Sequence, residues 1–138
     1  SNFELYHMNQ LSESWTIRPM LNQIECSPYL PQVELVEEMQ ANGTQVMCYC
    51  PLGSGLLGVL EDPLINEISS RHFTTPAQVV LSWHIHRNCV PVPKSTNQQR
   101  IESNFGALHI ELSEEEISLI TALARPNARV CPNPSDIL

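Results

Sequence analysis

The stretch Val92-Pro93-Lys94-Ser95-Thr96-Asn97-Gln98-Gln99-Arg100 carries the densest chemical signal in the sequence. An apolar strand end runs through a lysine and two hydroxyls into a helix, and Arg100 places a guanidinium fork one turn in. The free N–H groups of a helix start carry partial positive charge, so the pattern suits an anion, a phosphate monoester above all. The bland alternative is a solvated Lys94 with Thr96 as a plain cap. Asn22-Gln23 and Tyr49 fall at or near the C-terminal ends of predicted strands. Amides there read a planar polar ligand and a Tyr ring stacks on one, the alternative being that they pack inside the fold.

The remaining chemistry-bearing residues point to packing. His84 and His86 are two apart on a predicted helix and face different directions, so they make no two-ligand metal face. His7, His72 and His109 fall on predicted surface helices or their ends and are expected to be solvated. The five cysteines, Cys26, Cys48, Cys50, Cys89 and Cys131, are odd in number and form no C-x-x-C pair. That is a poor disulfide framework and a poor zinc site, so free thiols are expected and no metal site. Cys48-Tyr49-Cys50 places both thiols on one face of a strand, where packing is favoured over redox chemistry.

These residues are held by alternating strands and amphipathic helices. Helices are predicted over Glu4 to Ser14, Gln32 to Asn42 with Asn42-Gly43 as the stop, from Asp62-Pro63, from the capping box Thr75-Pro76-Ala77-Gln78, from Thr96 or Asn97 to about Asn104, and from Ser113 with Glu116 closing a second box. The last buries Ile117, Ile120 and Leu123, and Trp83 is expected in the core. Strands are predicted over Met20 to Glu25, Thr44 to Cys50 and Cys89 to Pro93, the third short because Pro91 and Pro93 donate no N–H. The tail Arg125 to Leu138 reads as irregular. The order α-β-α-β-αα-β-αα implies an α/β fold of parallel strands with helical crossovers, either doubly wound or part of a (βα)8 barrel. Three full strands are too few for a barrel of about 250 residues, so the chain reads as part of a larger unit.

Composition narrows the function. With 138 residues, 42% hydrophobic and 11 prolines, one globular domain is expected. A net charge of -8 works against non-specific binding of nucleic acid or anionic membrane, so neither is an expected partner. There is no apolar run long enough to span a membrane and no signal core at the start, so a cytoplasmic protein is expected.

Asn22-Gln23-Ile24-Glu25-Cys26 with Pro28-Tyr29-Leu30, Tyr49-Cys50-Pro51-Leu52-Gly53-Ser54, and Pro93-Lys94-Ser95 with Arg100-Ile101-Glu102-Ser103-Asn104-Phe105 together resemble the aldo-keto reductase family. The resemblance covers nearly the whole chain and matches the family's C-terminal half, residues 1–138 running from the end of the fifth strand of a (βα)8 TIM barrel. It implies NADPH-dependent reduction of aldehydes or ketones, NADP(H) being the cofactor and a small carbonyl compound the substrate. Residue by residue, Ser1, Asn2 and Gln23 resemble binders of the nicotinamide carboxamide, and Tyr49 the ring that stacks on the nicotinamide. Leu52 and Ser54 resemble pyrophosphate-side contacts; Lys94, Ser95 and Arg100 resemble binders of the 2'-phosphate, with Thr96 in the same turn, and Asn104 resembles an adenine contact. Cys50, Ser27 and Ser103 depart from the family's usual Ser, His and Glu.

The family's catalytic Tyr, Asp, Lys and His all belong to the half that is absent, so no catalytic residue is assigned. The enzyme reading therefore needs the N-terminal half of the barrel from a longer parent chain or a second polypeptide. Ser1 is no initiator and falls within a family motif, as expected for a cut chain. The alternative is a catalytically inactive truncated barrel acting as a structural or interaction protein.

Overall fold

The computed structural model describes residues 1–136, so the expectation for Ile137 and Leu138 lies outside the described residues. Its sheet contains β1 (Leu21–Glu25), β2 (Gln45–Tyr49) and β3 (Cys89–Pro91), parallel and in that spatial order. Helix α1 (Leu5–Ser12) precedes β1, α2 (Val33–Ala41) links β1 to β2, and α3 (Pro63–Arg71) and α4 (Pro76–His86) link β2 to β3. Helices α5 (Gln98–Phe105) and α6 (Glu114–Thr121) follow.

Local chemistry sets the helix boundaries. Leu64 N donates to Asp62 Oδ1 at 3.0 Å, Gln78 N to Thr75 Oγ1 at 3.2 Å and Glu116 N to Ser113 Oγ at 3.2 Å, which satisfies helix-start donors that have no partner within the helix. Between the two caps open for α5 the fold uses Asn97, whose Oδ1 accepts from Arg100 N at 3.0 Å. After α2, Gly43 takes φ +72°, and a Cβ there would also meet the Arg18 guanidinium at 2.9 Å. Pro91 and Pro93 limit β3 as expected, with Val92 N between them still donating to Cys48 O at 3.0 Å.

The two faces of the sheet differ sharply. Ile24, Val46, Cys48 and Cys89 are buried beneath the helices, whereas Leu21, Val90 and Val92 on the other face are 46%, 42% and 37% exposed. A doubly wound sheet covers both faces with helices, so one-sided cover selects the other architecture, an arc of (βα)8 barrel wall with its interior side open. Asn2-Phe3 lies along the free edge of β1, where Asn2 N donates to Gln23 O at 2.8 Å. Asn22 belongs to the helix side and not to the rim where the sequence placed it. Its Nδ2 donates to Phe3 O at 2.9 Å and its Oδ1 accepts from Phe3 N at 3.3 Å, so this amide is spent on holding the N-terminal segment.

Beneath the helices, Trp83 is fully buried and donates from Nε1 to Thr121 Oγ1 at 3.0 Å, tying α4 to α6. Ile120 is buried, with Ile117 and Leu123 packed part-buried beside it. Two of the histidines expected in solvent are engaged instead. His72 Nε2 lies 3.0 Å from the buried Glu116 carboxylate, which also pairs with Arg71 at 3.5 Å, and His7 Nδ1 accepts from Glu4 N at 2.9 Å. His109 is exposed, as expected. Tyr29 Oη donates to Asp62 Oδ2 at 2.7 Å, and Arg125 pairs with that oxygen at 3.1 Å while stacking 3.5 Å over the Tyr29 ring.

Candidate functional site

Parallel strands end at one edge of the sheet, so β1, β2 and β3 deliver their C-terminal residues to a common rim. Gln23 stands opposite Met47 and Glu25 opposite Tyr49, which puts Gln23 and Tyr49 on the uncovered face as diagonal neighbours. Gln23 Nε2 donates to Met47 Sδ at 3.0 Å, a weak acceptor. Asn2 is held beside Gln23 in a left-handed conformation, φ +59°, and its Oδ1 is buried with no hydrogen-bond partner among the described residues. Ser1 precedes it and is exposed.

The chain leaves β2 through left-handed residues, Cys50 at φ +50° and Ser54 at φ +54° flanking Gly53 at φ +70°. This turn leaves Ser54 exposed while Leu52 packs part-buried against the core. It also separates Cys48 from Cys50, contrary to the expectation of one shared face. Cys48 is buried on the helix side, and the half-buried Cys50 instead touches Cys131 of the tail.

Beyond β3, Lys94, Thr96 and Arg100 are exposed, and among the described residues neither Lys94 nor Arg100 enters an ion pair. Ser95 Oγ accepts from Asn97 N at 3.1 Å, which shapes the turn into α5. Two strand spacings, about 10 Å, separate β1 from β3, so these cations stand at the same rim as Gln23 and Tyr49 but apart from them. Asn104 and Ser95 share the wall of an open, mainly apolar groove of about 810 Å³ beside β3, with Val90, Phe105 and Leu108.

Glu25 went unread in the sequence. It is 2% exposed at the end of β1 and accepts from Val130 N at 2.5 Å and Cys131 N at 3.0 Å, so its carboxylate pins the tail to the rim. The only sequence signal was an acid closing an otherwise buried strand. Burial, reinforced by Cys131 and Glu25, pushes the Tyr49 hydroxyl up to about 12, so it stays a neutral phenol at ordinary pH. A second group, on the helix side, was also missed. Cys26, Cys48 and His84 come from three elements and bring their donor atoms within 4.8 Å of one another, although no metal-ligating set was expected.

The sequence model of the Aldo/keto reductase family matches residues 1–125. The chain belongs to that family. It is 42% identical over 134 residues to an aldo-keto reductase of Mycolicibacterium smegmatis, covering 97% of this chain and 48% of the relative. Identity to the glyoxal reductase of Bacillus subtilis is 36% over 138 residues, covering all of this chain and 49% of the relative. Among solved structures, a mutant of Gox0644 crystallised in complex with NADPH superposes with a TM-score of 0.89 at 31% identity, over 97% of this chain and 49% of that one. An aldo-keto reductase from a deep-sea metagenome library, MGS-M4, gives 0.85 at 31% identity over 89% of this chain and 46% of that one. The fold is thus a partial aldo-keto reductase barrel, and the chain spans about half the length of the relatives it matches.

Proposed function

We propose that residues 1–138 supply the cofactor-binding half of an NADPH-dependent carbonyl reductase that converts aldehydes or ketones to alcohols. The observation carrying this reading is the rim itself. One edge of a family-typical parallel sheet gathers a neutral Tyr ring, two amides and, about 10 Å away, a Lys and an Arg at a helix start that enter no ion pair among the described residues. The residues present fit a nicotinamide dinucleotide: the unpartnered Asn2 Oδ1 is an acceptor suited to a carboxamide N–H, and Lys94 and Arg100 are free to take a phosphate. A relative of the same fold crystallised with NADPH supports the same choice.

Such a cofactor supplies hydride when bound. Asn2 and Gln23, with Ser1 beside them, would orient the carboxamide, and the Tyr49 ring would offer it a flat face. Leu52 and Ser54 would line the pyrophosphate. Lys94, Ser95, Thr96 and Arg100 would hold the 2'-phosphate, and Asn104 would border the adenine. Burial pushes the Tyr49 hydroxyl up to about 12, so the ring stays a neutral phenol and offers an uncharged face for stacking. The proton donor and substrate pocket come from the other half of the barrel, in the same parent chain or in a second one.

The test uses the native-length polypeptide that carries these residues, titrated with NADPH and NADH. Lys94→Glu replaces an attractive charge with a repulsive one at the 2'-phosphate, and at an exposed site this amounts to about 1–2 kcal/mol, or roughly a 5- to 30-fold loss for NADPH. NADH binding should hardly change, and equal losses for both cofactors refute the 2'-phosphate assignment. A second reading, a non-catalytic interaction protein, draws on the uncovered face with Leu21, Val90 and Val92. Failure of the native-length protein to oxidise NADPH with any of a panel of aldehydes and ketones would favour it.

A further inference from the structure

On the helix-covered face of the sheet, soft donors from separate elements meet in the core. Cys26 follows β1, Cys48 lies in β2 and His84 in α4, and all three are 0% exposed. Their donor atoms lie within 4.8 Å of one another. Cys89 of β3, 4% exposed, neighbours Cys48 on the same covered face, its thiol donating to Arg87 O at 3.5 Å, and is a fourth soft donor beside the three.

The imidazole is poorly served by protein alone. His84 Nε2 lies 3.3 Å from Pro51 O, whereas Nδ1 is buried without a partner among the described residues. An N–H donated from Nε2 to that carbonyl leaves Nδ1 as a bare lone pair, the tautomer of a metal-ligating histidine oriented by a backbone carbonyl. Arg87 approaches Cys26 Sγ to 3.8 Å and is anchored on Pro31 O at 2.7 Å, so a guanidinium favours the thiolate over the thiol.

We propose that Cys26, Cys48 and His84, with Cys89 as the fourth donor, form a buried thiolate–imidazole site for a soft divalent cation of the zinc class. Tetrahedral zinc with Zn–S bonds of about 2.3 Å spaces its donors about 3.7 Å apart, so the three grouped donors need contract by no more than about 1 Å. Three thiolates exceed a divalent charge by one, and the Arg87 guanidinium beside Cys26 offsets the remainder, which lowers the cost of burying the ion. No channel to solvent is required if the ion enters during folding, as structural zinc does. The site would clamp β1, β2, β3 and α4 together beneath the candidate rim, a role independent of the cofactor reading.

The experiment is metal analysis of the native-length protein purified without chelator, followed by Cd²⁺ titration of the same protein. The expected result is about one zinc per chain, or one Cd²⁺ taken up with an ultraviolet thiolate-to-cadmium charge-transfer band, and no response to Ca²⁺. Cys48→Ser should weaken the band, His84→Phe should lower the Cd²⁺ affinity, and Cys131→Ser, outside the cluster, should change neither. If the core variants do not fold, the wild-type titration decides by itself. Absence of both zinc and a cadmium band, with all thiols free on denaturation, overturns the proposal, and so does a Cys26–Cys48 disulfide found by mass analysis.

Discussion

Replacing Glu25 by Gln tests whether one buried carboxylate holds the tail against the rim. Glu25 accepts from Val130 N and Cys131 N, two hydrogen bonds to a charged acceptor, each worth about 1.5–3 kcal/mol. Gln keeps one neutral acceptor worth about 1 kcal/mol and turns an NH₂ toward the other N–H, a donor facing a donor. The Arg129–Glu4 pair at 3.4 Å and the Arg125 stack on Tyr29 still restrain the segment, so the net loss is about 2 kcal/mol in the free energy of local opening. That is roughly a 30-fold faster exchange of amide hydrogens over residues 126–136, read by hydrogen exchange and mass spectrometry on the native-length protein. Unchanged exchange there would refute the anchoring role. An equal rise across α4 would refute it too, because the loss would then be global and not confined to the tail.

Asp62→Ala should lower stability by about 2–4 kcal/mol in urea unfolding, because it removes the α3 cap, takes the partner of Arg125 and leaves the Tyr29 hydroxyl only the longer contact to Gly58 O at 3.4 Å; a change below about 1 kcal/mol would contradict this. Burial alone would raise the Glu116 carboxyl, but the Ser113 N–H, His72 and Arg71 outweigh it and hold the group below the usual carboxylate range. Its stabilisation is therefore present above about pH 4.3, the unfolded value, and is lost as pH falls through the lower folded value. Glu116→Gln keeps the capping box, so its stability deficit should shrink below about pH 4, and a deficit independent of pH would exclude the linkage. The 138-residue chain expressed by itself exposes its inner face and the edge of β3, and should dimerise, aggregate or fold only partly in light scattering. A monodisperse monomer with a cooperative transition would sink that expectation.

Local signals were legible because their physics is local. The caps at Asp62, Thr75 and Ser113, the stop at Gly43 and the shortening of β3 by Pro91 and Pro93 depend on residues within a turn of one another, so the sequence alone determined where elements begin and end. Parallel connections follow from helical crossovers, and the ordered motifs around Gln23, Tyr49 and Lys94 pointed to the family. Which face of the sheet is covered, however, depends on how the strands twist and close, and only the tertiary structure chose a barrel wall over a doubly wound sheet. It also turned Asn22 to the helix side, drew His72 to Glu116 across 44 residues and brought Val130 to Glu25 across 105. Cys26, Cys48 and His84 show no ligand spacing along the chain, because their separation in sequence is set by two crossovers and their proximity by strand register. Contacts of that kind are made by packing, and no window of sequence contains them.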